Sequence, residues 1–257
     1  MRRRLLAAAA ALPFAARVPA AQETPLVAAA SDLKFALTEI AEAFAATTGR
    51  GVQLVFGSSG NFARQIRQGA PYELFFSADE GYVAALAEAG RTRDGGLVYG
   101  TGRLALLASR SFRVEVDSRL RGLRARLEHL RRFAIANPEH APYGRAAREA
   151  LSALGIWETL SARIVRAENV AQAAQFVATG AAQAGLVAWP LLAGGRGDAI
   201  GPHAQVDESL HAPLRQRMVL LRGAAAVASG FYEYVQQPPA RAALARHGFG
   251  PPGGTRG

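Results

Sequence analysis

Cysteine is absent from the 257 residues, which excludes disulfides, thiol redox chemistry and thiolate metal sites. Lysine is nearly absent as well: Lys34 stands alone and arginine supplies the other side-chain cations, a bias that points to genome composition. Beyond residue 30 no apolar run is long enough to cross a membrane. His129, His140, His203, His211 and His247 are scattered, and no H-x-x-x-H or H-E-x-x-H spacing marks a metal site. Gly57-Ser58-Ser59-Gly60 is one residue short of the G-x-S-x-G nucleophile elbow, so the remaining hydrolase reading is one built on Ser59, with nothing in the sequence supporting a triad around it. These absences argue against an enzyme.

What is present begins with a leader. Residues 1–21 have the layout of a removable secretory signal peptide: Arg2, Arg3 and Arg4, an apolar run from Leu5 to Ala16, and Val18-Pro19-Ala20 ahead of a cut after Ala20 or Ala21. Pro13 and Arg17 interrupt the run, which weighs against a membrane anchor. The formal charge of +10 is therefore partly the leader's own. The one dense basic stretch, Arg119 to Arg132, spaces Leu120, Leu123, Leu127 and Leu130 for one helical face, and so predicts a solvated amphipathic helix, not a nucleic-acid surface. A net positive field favours the approach of an anion.

From Leu26 onward short β-type runs alternate with helical patterns. Strands are predicted over Leu26–Ala29, Val52–Phe56, Leu74–Ser77, Arg103–Ser109, Phe133–Ala136, Ile164–Ala167, Ala184–Ala188 and Met218–Leu221, with helices between most of them. That alternation predicts an α/β fold with parallel-type sheets flanked by helices, in two lobes with a ligand cleft between them. Lobe I is expected over 24–101 plus 202–249 and lobe II over 102–201. The glycine- and proline-rich tail, 250–257, is expected to be flexible.

The central stretch is Val52 to Asp79. A strand stops at Gly57, Ser58 and Ser59 follow, and Phe62 and Ile66 open a helical pattern, which puts Ser59 where a helix begins. The first amides of a helix have no partner inside it, and the helix dipole adds positive potential there, so a strand, a small-residue turn and a helix start make an anion seat. The device recurs at Ala28-Ala29-Ala30-Ser31-Asp32 and at Ala141-Pro142-Tyr143-Gly144. Three such turns suggest one shared site beyond the carboxyl ends of the strands. Asn169 reads as the N-cap of the helix opening at Val170, and Ser58 as a turn residue. Asp32 is expected to face solvent or cap the first helix, leaving only its amide near a ligand.

The same residues resemble a family, the periplasmic molybdate-binding proteins of ABC importers, a branch of the type II solute-binding fold. The resemblance rests on Ala28-Ala-Ala-Ser-Asp-Leu33, on Phe56-Gly-Ser-Ser-Gly60 running into Ala63-Arg-Gln-Ile66, and on Gly69-Ala-Pro71 running into Leu74-Phe-Phe-Ser-Ala-Asp79. Ile135-Ala-Asn-Pro138, Ala141-Pro-Tyr-Gly144, Glu168-Asn-Val170 and Gly185-Leu-Val187 extend it to about Gly248.

The resemblance implies a receptor that captures molybdate or tungstate with neutral donors. Ser31 and Ser59 would come from one lobe, Tyr143 and Val170 from the other, Val170 through its backbone amide. Asp32, Ser58, Asn169 and Ala188 are secondary candidates, and Ala188 stands where some members carry a tyrosine. Molybdenum would enter only as the oxyanion, and no other cofactor is implied. The implied partners are a permease and its ATPase subunit, with no nucleic acid. A monomer free in the periplasm is expected, because a lipid anchor on such a receptor needs a cysteine. A receptor for phosphate, arsenate, sulfate or a small organic anion is the alternative, kept open by Asp32, which could accept a proton from hydrogen phosphate. The effector domain of a transcription regulator shares this architecture, but the leader occupies the place of its DNA-binding segment.

Overall fold

A computed structural model describes residues 24–253, so the leader expected over 1–21 and residues 254–257 of the tail lie outside the described residues. The first half of the chain runs β1 (Leu26–Ala30), α1 (Lys34–Thr48), β2 (Gln53–Gly57), α2 (Ser59–Arg67), β3 (Leu74–Ser77), α3 (Glu80–Glu88) and β4 (Leu97–Gly102). The second runs β5 (Leu104–Ala108), α4 (Arg121–Ala125), β6 (Phe133–Ala136), α5 (Pro142–Ala153), α6 (Trp157–Ser161), β7 (Ile164–Ala167), α7 (Val170–Ala178), β8 (Ala184–Ala188), α8 (Arg196–Ile200) and β9 (His203–Gln205). The chain then returns through β10 (Leu214–Leu220), α9 (Ala226–Val235) and α10 (Pro238–Arg246).

Two five-stranded sheets result, ordered β2-β1-β3-β10-β4 and β7-β6-β8-β5-β9. In each, three parallel strands adjoin an antiparallel strand supplied where the chain crosses between halves, β10 in the first and β5 in the second. The sheets are therefore mixed, with the expected parallel pairing over three strands of each. β1 reads LVAAA without a polar residue because both its faces are covered. Alternation along the strands sorts the core: Val27, Ala29 and Phe76 pack with Leu37, Phe44 and Phe231 on one face, while Ala28 and Phe75 pack with Phe62, Ile66 and Val83 on the other.

Three expectations are corrected. β9 pairs with β5, so the chain completes the second sheet's edge before it crosses, past the junction expected at 201. The tail is anchored at its start: Gly250 and Thr101 exchange main-chain hydrogen bonds of 2.8 and 3.0 Å, because β4 is an edge strand with groups to satisfy. The Arg119–Arg132 stretch is not one helix. Leu120 adopts a left-handed φ of 56°, α4 spans five residues, and a 3-10 turn follows, although Leu120, Leu123 and Leu130 are buried as their spacing required.

Candidate functional site

The register of β1 against β2 aligns Ala30 with Gly57, so the turns bearing Ser31 and Ser58-Ser59 emerge side by side at one end of the first sheet. In the second sheet Ala136 aligns with Ala167, and the chain leaves these positions toward the N-termini of α5 and α7. The two pairs of turns meet. Ser31, Asp32, Gly57, Ser58, Ser59 and Ala78 from the first half and Ala141, Pro142, Tyr143, Asn169 and Val170 from the second line one small cavity.

The three serines in this cavity are put to two uses. The Ala171 amide donates to Ser31 Oγ at 3.2 Å, across the cleft, and the Ala78 amide donates to Ser59 Oγ at 2.9 Å. A hydroxyl that accepts a main-chain amide keeps its own proton for another acceptor. Ser31 and Ser59 are thus held as oriented donors, both almost fully buried. Ser58 is spent elsewhere: its Oγ donates to the His140 carbonyl at 2.6 Å and lies 2.8 Å from His140 Nδ1. Ser58 occupies the N-cap position of α2 and Ser59 is that helix's first residue, so the helix opens where expected but without a side-chain cap.

In the second half, Asn169 caps α7 by accepting from the Gln172 amide at 3.1 Å, as expected. Val170 is the first residue of α7 and Tyr143 the second of α5, positions whose amides have no acceptor within their own helix. The Tyr143 hydroxyl donates to Asp32 Oδ2 at 3.0 Å, so what Tyr143 has left for the cavity is main-chain. Ala188 ends β8 opposite Leu104 and is not among the residues lining the cavity.

Asp32 overturns its expectation. It neither faces solvent nor caps a helix: the residue is 1 % exposed, and neither the 3-10 turn at its start nor α1 has a side-chain cap bond. Its Oδ2 accepts from Tyr143 and, at 2.6 Å, from Gln216 Nε2, while Oδ1 has no hydrogen-bond partner. Gln216 Oε1 in turn accepts from the Tyr99 hydroxyl at 2.6 Å. Burial raises the Asp32 pKa to about 6, against the opposing effect of the Gln216 and Tyr143 hydrogen bonds. Burial, reinforced by the Asp32 charge, pushes both tyrosines well above their ordinary range.

Contacts at the rim tie the halves together. The Gly60 amide donates to the His140 carbonyl at 2.9 Å, Asn61 hydrogen-bonds Glu168, and Arg145 pairs with Asp79. Gly60 is required there, since a Cβ would stand 2.6 Å from the His140 carbonyl. His140 and Gln216 carry polar contacts that the sequence reading missed. For Gln216 a signal existed: it alternates with Arg215 and Arg217 on β10, and the strand period turns it inward with Leu214 and Met218. The contacts of His140 depend on a meeting of distant turns, which no local pattern marks.

This geometry agrees with similarities along most of the chain. Residues 25–250 match the family described as bacterial extracellular solute-binding protein. The molybdate-binding protein of Rhodobacter capsulatus is 36 % identical over 246 residues, covering 95 % of this chain and 94 % of that protein. The solved periplasmic molybdate-binding protein of Azotobacter vinelandii superposes with a TM-score of 0.80 at 33 % identity, covering 88 % of this chain and 98 % of that one. The sulfate-binding protein SubI of Mycobacterium tuberculosis, at 17 % identity and a TM-score of 0.68, covering 89 % of this chain and 86 % of that one, shares the fold. With two α/β lobes closing on a common cavity and a match from residue 25 to 250, the chain belongs to the bacterial extracellular solute-binding proteins.

Proposed function

We propose that the protein captures molybdate, or the isosteric tungstate, in the periplasm and delivers it to an ABC permease driven by a separate ATPase subunit, without catalysing a reaction. The observation that carries this is the pair of buried serines whose oxygens each accept a main-chain amide, one of them from the opposite lobe. A tetrahedral dianion offers only acceptors, and it is matched by two O–H donors together with the amides of Val170 and Tyr143 at helix starts. The anion is held by its oxygens and no protein group coordinates the metal centre. Closure follows from differential affinity, because donors from both lobes reach the anion only when the lobes meet. The relatives named for molybdate support the choice of ligand.

A second reading has its own observation. Asp32 lines the cavity, and an ionised carboxylate there suits an oxyanion that brings a proton, such as hydrogen phosphate or arsenate. Calorimetric titration of the purified protein at neutral pH with molybdate, tungstate, sulfate and phosphate separates the two. Tight binding of the first two with no heat from the others is expected. Binding of phosphate in their place would establish the second reading, and silence from all four would remove both.

A further inference from the structure

Asp32 poses a problem for any fully deprotonated ligand. It borders the cavity, is closed off from solvent, and among the described residues has no cation paired with it. Among the described residues, the polar groups facing its carboxyl are neutral: Tyr143 from α5, Gln216 from β10, behind Gln216, Tyr99 from β4, and the main-chain amides of Asp32 and Leu33. No charged side chain among the described residues contributes to its titration. The nearest cation in sequence, Lys34, is exposed on α1, and the Arg145–Asp79 pair lies in a neighbouring cavity that shares Ala78 and Pro142 with this one. A dianion placed beside an ionised carboxylate in a medium of low polarity meets strong repulsion with no paired cation to offset it.

We infer that Asp32 is a specificity-determining residue which takes the carboxylic acid form when the closed cleft holds a fully deprotonated oxyanion, so that capture of molybdate draws one proton into the site. The inference rests on the molybdate reading. The hydrogen bonds that Tyr143 and Gln216 donate to Oδ2 favour the carboxylate and burial opposes them; Oδ1, with no hydrogen-bond partner among the described residues, is the oxygen left to carry the proton. The balance is one proton taken from solvent per anion bound, with no covalent bond made or broken in the ligand. In the free protein the carboxyl titrates at about 6, and the negative charge of the ligand raises that value in the complex. Between the two values the affinity falls about tenfold for each unit of rising pH, and below the lower one it levels off.

The test is titration of molybdate into the purified protein at about pH 7.5 in PIPES, HEPES and Tris, whose heats of ionisation differ widely. The slope of the observed enthalpy against buffer ionisation enthalpy counts protons. Uptake of about one proton, with the dissociation constant rising roughly tenfold from about pH 7 to about pH 8, is the expected result. The Asp32→Asn variant is expected to bind molybdate with neither the uptake nor the slope; persistence of both would assign the proton to another group and overturn the inference. If that variant fails to fold, the wild-type slopes still decide, since tight binding with no uptake and no pH slope overturns the inference while leaving the function intact. Absence of molybdate binding at every pH would instead remove the functional reading and the inference with it.

Discussion

The two lobes have the same layout and arm the cleft differently. Each has three parallel strands, an antiparallel strand from the crossing chain, and two neighbouring turns aimed at the other lobe. In the first lobe these turns are short, Ala30 leading directly into Ser31 and Gly57 into Ser58, and they deliver side chains: two hydroxyls and a carboxyl. In the second, the connections end at Pro142 and Val170, and the helix starts deliver main-chain amides. Among the second lobe's cavity-lining side chains, the Tyr143 hydroxyl reaches across to the first lobe's carboxyl. In the proposed reading, then, selectivity written in side chains is concentrated in one lobe, while the other contributes a grip that most side-chain replacements leave intact.

The sharpest way to break this comparison is to remove the first lobe's hydroxyls together. A hydrogen bond to a charged group contributes about 1.5–3 kcal/mol, so Ser31→Ala combined with Ser59→Ala is expected to weaken molybdate binding by about 3–6 kcal/mol, roughly two to four powers of ten. Calorimetry on the double variant measures this, with circular dichroism verifying the fold. A loss below about tenfold would mean that the hydroxyls are structural and that the second lobe's amides carry the grip.

Asp32 supplies the next largest effect, on stability. Its carboxyl titrates at 3.8 in the unfolded chain and about 6 in the fold, so the folded state holds the proton more tightly. The associated stability is full below the unfolded value and is lost as pH rises through about 6. With about 1.36 kcal/mol per unit, Asp32→Asn, which removes the buried charge and keeps an acceptor for Tyr143 and Gln216, is expected to stabilise the ligand-free protein by up to about 3 kcal/mol near neutral pH. The gain is expected to vanish below about pH 4. Urea denaturation of both proteins at the two pH values tests it, and a variant less stable than wild type at neutral pH would show that the charge is better compensated than its neighbours suggest.

The same contrast between lobes explains what the sequence disclosed. Strands, helix starts and the turns bearing Ser31, Ser59, Tyr143 and Val170 have local signatures, in alternation, caps and small residues, and the structure brings all four residues to one cavity. Use is another matter. Ser58 and Ser59 are adjacent and chemically identical, yet one hydroxyl is consumed by His140 and the other is oriented by the Ala78 amide, 82 and 19 residues distant. Asp32 looked like a surface cap because carboxylates at helix starts usually are, and its burial depends on Gln216, 184 residues away. The pairings of β9 with β5 and of Gly250 with Thr101 have a related reason for escaping the sequence: both segments are placed by an edge they meet in space, not by a pattern of their own.

The second lobe's half of the comparison can be tested at a single position. Val170 is buried at the first position of α7, and in the proposed reading its amide, not its side chain, meets the anion. Proline is tolerated at that position of a helix and lacks only the N–H. The preceding residue, Asn169, already has the extended conformation that a following proline demands, with φ −149° and ψ 172°. Val170→Pro is therefore expected to fold and to lose about 1.5–3 kcal/mol of affinity for molybdate. Val170→Ala keeps the amide and deletes two buried methyl groups, so it is expected to lose about 1–2 kcal/mol of stability while affinity changes by less than about twofold. Calorimetry on the pair reads the difference between main chain and side chain directly. Equal affinities for the two variants would show that the Val170 amide is no ligand, and the second lobe's share of the grip would then fall to the start of α5.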